Sequence, residues 1–238
     1  MENLENKSLI STGGSNLAKT EKLLSITKKI LSEIKPKYES IKIGNQEWMT
    51  RNLDVDRFRN GDLIPHVKLD VEWEETRRKG QPAWCYYDND PENGKKYGKL
   101  YNWCAVNDPR GLAPEGWHVP TSDEWPILED FLGKDFAGHK MKSVEGWEEW
   151  VEWLEWEDGE LQNGNGDNSS RFKALPSGYR RGNGSFNGIK NSAFFWSSSV
   201  SVVNCAWLCK VFNDREFMTR SDLFKVKSAG ASIRCIKF

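Results

Sequence analysis

The chain has 238 residues, among them 12 Trp and 20 Gly, and a formal net charge of −1 at pH 7. This length suits one large domain or two small ones. A nearly neutral chain lacks the basic footprint of proteins that bind nucleic acid or anionic membranes. No apolar run approaches the roughly 18 residues of a membrane-spanning helix. We therefore expect no nucleic-acid partner and no membrane insertion.

The first residues predict a leader without folded structure. Residues 1–16 are polar and rich in Asn, Ser and Gly, which is typical of a disordered terminus. They lack the basic and apolar regions of a secretory signal. The expected location is the cytoplasm, a phage particle, or an exterior reached by another export route. The five cysteines are interpreted as reduced thiols.

Residues 17–36 predict an amphipathic helix that ends at Pro36. Its apolar stripe consists of Leu23, Leu24, Ile26, Ile30, Leu31 and Ile34. A lone helix of this length is marginal in water, so the stripe should be buried. We favour packing on its own domain in a monomer, and a dimer through residues 17–35 is the alternative.

The elements after Ile41 are short and punctuated by Gly and Pro. The stretch "IKIGNQEWMTRNL" alternates as a strand does. One clear helix is predicted from "VPTSDEWPILEDFLG", with Thr121 or Ser122 as its N-cap and Gly133 at its end. Short strands and turns follow residue 182. These elements predict one α+β domain over residues 40–238.

A Trp/Glu segment, "WEEWVEWLEW", occupies residues 147–156. Its tryptophans recur every three residues, a period that drifts around a helix and cannot form one narrow stripe. We favour an amphipathic element whose tryptophans cover the domain. An aromatic ligand surface is the alternative.

No catalytic constellation emerges from the reactive residues. None of His66, His118 and His139 pairs with a second His or Cys at metal-ligand spacing, and His118 is interpreted as a packed side chain. Cys205 and Cys209 have no neighbouring base that would activate a thiol. Phosphate-loop, nucleophile-elbow and dinucleotide fingerprints are absent from the sequence. The prediction is a protein without enzymatic activity.

Asn163, Asn165 and Asp167 alternate as oxygen donors, as calcium ligands do. A calcium loop also needs a bidentate acid downstream, and "SSRFK" follows instead. We favour a plain glycine-rich turn with no metal or other cofactor, and calcium is the weaker alternative.

Several motifs together resemble a known bacterial family. They are "EWMTRNLDVDRFRNGDLI", "YGKLYNWCAV", "APEGWHVPTSDEW", "ALPSGYRRGNGSF", "FWSSS", "AW" and "SIRCIKF". In this order they resemble the Fibrobacter succinogenes major paralogous domain. The match spans about residues 40–238, apart from the Trp/Glu segment at 147–160.

The resemblance implies a C-type lectin-like fold of the α+β class, similar to the formylglycine-generating enzyme. Such a fold is loop-rich, with small antiparallel sheets, and here it follows an N-terminal helix. "WHVPTSDEW" looks like its helix-starting motif and "SIRCIKF" like its closing strand. The framework positions would be Trp103, Trp117, Trp125, Trp196, Trp207, Arg234 and Cys235.

The family also supplies variable proteins of diversity-generating retroelements, in which a reverse transcriptase rewrites AAY codons at the 3′ end of the gene. This implies a variable region over about residues 185–230, and most residues of 200–226 can be encoded by NNY codons. An eccentric stretch of core is the alternative. The variable candidates are Ser201, Val202, Asn204, Cys205, Leu208, Cys209, Phe212, Asn213, Asp214, Phe217, Ser221, Asp222, Leu223 and Phe224.

These candidates predict a surface that binds a protein ligand or cell-surface receptor. Seven of them are expected to be mostly exposed on one face: Val202, Cys205, Leu208, Cys209, Phe212, Leu223 and Phe224. Trp117 and Trp207 are expected in the core. A carbohydrate-binding module is the first alternative, and an oxidase of the formylglycine-generating type is a less favoured second.

Overall fold

The structure, a computed structural model, describes residues 20–24, 38–152, 159–201, 205–221 and 229–238. The chain divides into two units, Met1–Tyr38 and Glu39–Phe238. In the first unit, helix α1 is described over residues 20–24, where Leu23 and Leu24 are exposed. The leader and the rest of the predicted helix lie outside the described residues.

The second unit mixes five short helices with fourteen strands, among the residues that the structure describes. The helices are α2 (Asp70–Lys79), α3 (Pro91–Tyr97), α4 (Trp103–Val106), α5 (Glu124–Leu132) and α6 (Ala137–Met141). The strands are β1 (Ser40–Ile43), β2 (Gln46–Met49), β3 (Trp84–Cys85), β4 (Leu100–Asn102), β5 (Trp117–His118), β6 (Trp150–Glu152), β7 (Glu160–Gln162), β8 (Ser177–Arg180), β9 (Phe186–Ile189), β10 (Ser192–Val200), β11 (Ala206–Phe212), β12 (Thr219–Ser221), β13 (Gly230–Ala231) and β14 (Ile236–Lys237). The predicted α+β class is confirmed. Each described helix is too short or too polar to cross a bilayer.

Three sheets organise these strands. One has the order β1-β2-β14-β5, a second pairs β6 with β7, and the largest runs β12-β11-β10-β8-β13-β4-β3 with β9 beside β8. The largest sheet is not purely antiparallel, because β8 and β10 run parallel where Ala193 pairs with Gly178. The stretch predicted to alternate as one strand is a hairpin, since Gly44 takes a positive φ of 59° between β1 and β2.

The helix predicted after "VPTSDEW" is α5, and Gly133 ends it as expected. The predicted N-caps are wrong, because no side chain caps the helix. Instead, the Glu124 carboxylate accepts from the Thr121 backbone N–H at 2.7 Å. The Ser122 N–H donates to Ser199 Oγ at 2.9 Å. Both predicted caps therefore hold the turn before the helix.

A serine-rich bulge connects that turn to the largest sheet. The register of β10 against β11 shifts between Trp196 and Val200. There, the Trp125 indole donates to Ser197 Oγ at 3.0 Å, and the Ser198 N–H donates to Pro120 O at 2.8 Å. The "WSSS" and "VPTSDEW" motifs thus contact each other directly.

Two buried arginines fasten loops to the sheets. Arg234, 1% exposed, donates to Asn52 Oδ1 at 2.7 Å and to the carbonyls of Met49 and Phe172. Burial lowers its pKa to about 9, so it stays charged at neutral pH. Arg180, fully buried, donates to the carbonyls of Val67 and Gly184, each at 2.7 Å. Because both guanidinium groups donate to loop carbonyls, those carbonyls are hydrogen-bonded although their loops have no regular secondary structure.

Candidate functional site

Strand β11 contradicts the exposure expected of the central variable candidates. Cys205, Leu208 and Cys209 are buried, at 8%, 2% and 0% exposure. The strand is paired with β10 on one side and β12 on the other. Both of its faces are covered, so neither shows the alternation of a half-exposed strand. Leu208 and Cys209 therefore lie in the sheet interior, and Cys205 is buried just before the strand.

The two faces of β11 pack differently. Cys209 and Val211 pair with Phe195 and Ala193 of β10, and all four belong to one core cluster with α5 and α6. Leu208 pairs with Trp196 on the opposite face, and both are buried. Burial raises the pKa of the Cys209 thiol above its usual range.

Most of the predicted framework positions are buried, as expected. They are Trp103, Trp117, Trp125, Trp196, Arg234 and Cys235. Trp207 is the exception, because it is only half-buried in β11. Full burial of Trp207 is therefore not confirmed, and its framework role stays a prediction.

The remaining variable candidates fall into three groups. Ser201, at the end of β10, and Ser221, in β12, are half-buried. Phe212, Asn213, Asp214 and Phe217 lie in or beside the loop that joins β11 to β12, and all four are half-buried or exposed. Val202, Asn204, Asp222, Leu223 and Phe224 lie outside the described residues.

The Phe212–Phe217 loop, residues 212–217, is held from below by a buried lysine. Lys142 is 2% exposed, and its Nζ donates to the carbonyls of Asn213 at 3.3 Å and Arg215 at 3.2 Å. Burial lowers the pKa of Lys142 to about 8, against the opposing effect of Glu216 and Asp214. A buried cation thus fixes the path of an exposed loop.

Backbone contacts fix the same loop at both ends. The Asn213 N–H donates to Asn191 O at 2.9 Å, and the His139 N–H donates to Glu216 O at 2.7 Å. A Cβ at Gly138 would come within 2.7 Å of Phe217 O, so only glycine allows α6 to approach this closely. These contacts within the chain fix the backbone of the loop.

The side chains of the loop place a cation between two aromatic rings. Arg215 Cζ lies 4.9 Å from the Phe212 ring centroid and 5.8 Å from that of Phe217. Phe217 is 45% exposed, and Asp214 pairs with Arg215 at 3.6 Å. Phenylalanine and arginine are among the side chains that are enriched at protein interfaces.

The calcium candidates are used as turn formers. Asn163 Oδ1 accepts from the Asn165 N–H at 3.0 Å, and Asn165 Oδ1 accepts from the Trp147 N–H at 3.0 Å. Asp167 accepts from the Ser169 N–H at 2.8 Å. These bonds favour the turn interpretation over calcium. No group of three or more His, Cys, Asp or Glu residues suited to a metal occurs in the described part of the chain.

The Trp/Glu segment is partly core. Trp147 is 5% exposed and belongs to the core cluster around α5 and α6. Trp150 is half-buried in β6, and Trp153 and Trp156 lie outside the described residues. The favoured interpretation, tryptophans that cover the domain, is confirmed for Trp147.

The sequence did not single out the residues that anchor the loop. Lys142 and Gly138 lie about 75 residues before it, and neither belongs to a motif. A lysine and a glycine beside a predicted helix are ordinary, so no sequence signal marks them. Their contact with the loop exists only in the fold.

The comparisons with known proteins identify a family and nothing more specific. The sequence pattern of the Fibrobacter succinogenes major domain matches residues 41–237. No curated protein and no solved structure matches the chain. Since the matched range covers most of the sequence, the chain belongs to the Fibrobacter succinogenes major domain family.

Proposed function

We propose that this chain is a non-enzymatic domain that binds a protein ligand through the Phe212–Phe217 loop. The observation that carries the proposal is an exposed Phe-Arg-Phe arrangement on a loop whose backbone is fixed by Lys142 and Gly138. A loop that is ordered before binding loses less conformational entropy in the complex. The aromatic and cationic side chains supply the binding energy.

The proposal includes a C-type lectin-like scaffold. Short strands, few helices and a core of tryptophans support it, together with membership of the family. Such a scaffold separates a packed interior from loops that vary, as binding loops do on other rigid folds.

Diversification by a retroelement is the second part of the proposal. The burial of several candidates reduces the number of positions at which variation is expected. Between residues 200 and 221, the described positions that are exposed or half-buried and that NNY codons can encode are Val200, Ser201, Phe212, Asn213, Asp214, Arg215, Phe217, Thr219, Arg220 and Ser221. The buried Cys209 and Val211 are now assigned to the scaffold. We propose that variation is confined to the exposed set.

An oxidase of the formylglycine-generating type receives little support from the cysteine pair. The Cys209 side chain belongs to the core cluster, and burial raises its thiol pKa. A thiol reacts and binds metal as the thiolate, which this environment disfavours. Binding is therefore the function that we propose.

A binding experiment tests the loop. Proteins captured by the full chain are purified, and their affinities are measured for the wild type and for Phe217→Ser and Arg215→Ala. We expect at least a tenfold loss for both variants. Phe131→Ser is the matched control, because Phe131 is 63% exposed on α5. A ligand that binds all variants equally contradicts the proposal, and one displaced by sugar or chelator favours the carbohydrate alternative.

The neighbouring DNA tests diversification. We expect a reverse transcriptase gene and an adenine-rich near-repeat of codons 185–238. In that repeat, AAY codons should stand at the exposed positions and be absent at Cys209 and Val211. A repeat that places AAY codons at those core positions contradicts the narrowed set, and a locus without either element contradicts diversification itself.

A further inference from the structure

The Trp/Glu ribbon, β6 with β7, is a second exposed feature, and its base contacts the Phe212–Phe217 loop through Asn213. It is a two-stranded sheet in which Trp150 pairs with Gln162, Val151 with Leu161, and Glu152 with Glu160. Cross-strand partners point to the same face, and neighbours along a strand alternate. Val151 and Leu161 therefore share one face, and the two glutamates share the other.

The described part of the ribbon is held at its base. The Glu148 N–H donates to Lys190 O at 2.9 Å, and Asn213 Nδ2 donates to Glu148 O at 3.1 Å. A Cβ at Gly164 would lie 2.0 Å from Glu148 O, which shows how closely the segment after β7 approaches the segment before β6. Beyond this base, Val151 is 40% exposed and Leu161 is 60% exposed.

Each face of the ribbon carries an energetic cost in the free chain: exposed apolar side chains on one face, and repulsion between carboxylates on the other. An isolated pair of strands is at best marginally stable in water, and three strands are usually needed. The apolar pair lies in solvent, and Glu152 and Glu160 are like charges placed directly opposite each other, which is destabilising. Neither glutamate makes an ion pair within the described residues.

The local charge selects the class of partner. Between Lys142 and Arg171 the sequence contains nine Asp and Glu residues and no Lys or Arg. This charge repels nucleic acid and anionic membranes. It also disfavours a second copy of the ribbon, because that pairing would bring further carboxylates together. A positively charged protein segment is complementary.

We propose that the ribbon accepts a third strand from a partner protein, in which basic and apolar residues alternate. Backbone hydrogen bonds along a free edge of the ribbon would hold this strand, as in other cases of strand addition. In that register, the apolar side chains of the added strand lie on the face of Val151 and Leu161, and its basic side chains lie on the face of Glu152 and Glu160. One strand thus relieves the exposure of one face and the repulsion on the other.

The test uses the full chain and two fluorescent peptides of identical composition. The first is blocked Lys-Leu-Lys-Leu-Lys-Leu-Lys, and the second has the same residues as a block of Lys followed by a block of Leu. Anisotropy should show at least tenfold tighter binding of the alternating peptide. Equal binding of the two peptides, or no binding of either, overturns strand addition.

Variants locate the binding site. The pair Val151→Ser with Leu161→Ser, and separately the pair Glu152→Gln with Glu160→Gln, should each weaken the alternating peptide at least tenfold. The second pair removes repulsion and should fold even if the first does not. Leu63→Ser and Glu115→Gln are matched controls at exposed positions elsewhere, and they should change nothing.

Two further measurements distinguish binding at the ribbon from binding at the Phe212–Phe217 loop and from self-association of the chain. Phe217→Ser should leave peptide binding unchanged, so the ribbon can fail or succeed independently of the proposed function. Loss of binding in Phe217→Ser overturns the assignment to the ribbon. Sedimentation that shows a dimer dissolved by the ribbon variants also overturns it, because a second copy would then be the occupant.

Discussion

Strand β11 and the Phe212–Phe217 loop follow one another in the chain, yet they have opposite roles. The strand contains a thiol, Cys209, and irregular apolar residues that resemble a variable surface, and residues on both of its faces are buried. The loop is short and polar by composition, and it presents two phenylalanines and an arginine. The residue types in a segment therefore do not show whether it lies at the surface or in the core. What decides this is whether other elements cover one or both faces of the segment.

The largest expected effect separates two tryptophans at the edges of this region. Trp196 is fully buried, and its indole donates to Tyr101 O at 2.7 Å. Trp196→Ala should lower the free energy of unfolding by about 3–5 kcal/mol. Trp207→Ala should lower it by less than half as much, because Trp207 is only half-buried. Equal losses in denaturant titrations would return Trp207 to the core.

The next effect tests the interior of β11 directly. Leu208→Ala should lower the free energy of unfolding by about 2–5 kcal/mol, because it leaves a cavity beside Trp196. Chemical denaturation measures the change. Leu63→Ala, at a leucine 60% exposed, is the matched control and should be nearly neutral. A neutral Leu208→Ala would restore the variable-surface interpretation of the strand.

The pH dependence of stability tests the anchor below the loop. The pKa of Lys142 is lowered to about 8 in the folded chain, from 10.5. Between these values the unfolded chain holds a proton that the folded chain lacks, so the free energy of unfolding rises with pH. The contribution reaches at most about 3 kcal/mol.

Other groups titrate in the same range, so the measurement is a difference. The free energy of unfolding of the wild type minus that of Lys142→Met should increase from pH 8 to pH 10.5. A flat difference would mean that the Lys142 pKa is close to its ordinary value, and that the ammonium group is better satisfied than its two carbonyl contacts indicate.

The smallest effect on stability is expected in the exposed Phe212–Phe217 loop. Phe217→Ser should change the free energy of unfolding by less than about 0.5 kcal/mol, because Phe217 is 45% exposed. Thermal melts of the variant and the wild type measure this. A loss of several kcal/mol would show that the loop is part of the core and would leave its proposed binding role without support.

The sequence by itself determined the family, the α+β class and most of the framework. The order of its motifs predicted the domain, and Gly133 predicted the end of α5. The resemblance to the family predicted framework positions that include Trp117, Trp125 and Trp196, and all three are buried. These features are local, because they depend on residue type and on neighbours within a few positions.

Only the tertiary structure decided which side of the C-terminal region meets solvent. Burial of Leu208 and Cys209 depends on strand partners and on packing against α5 and α6, which no periodicity within β11 records. The anchoring of the loop by Lys142 joins residues about 70 positions apart. Contacts over this range leave no pattern in a single sequence. The sequence does not distinguish a lysine that binds carbonyls in the core from a lysine that lies in water.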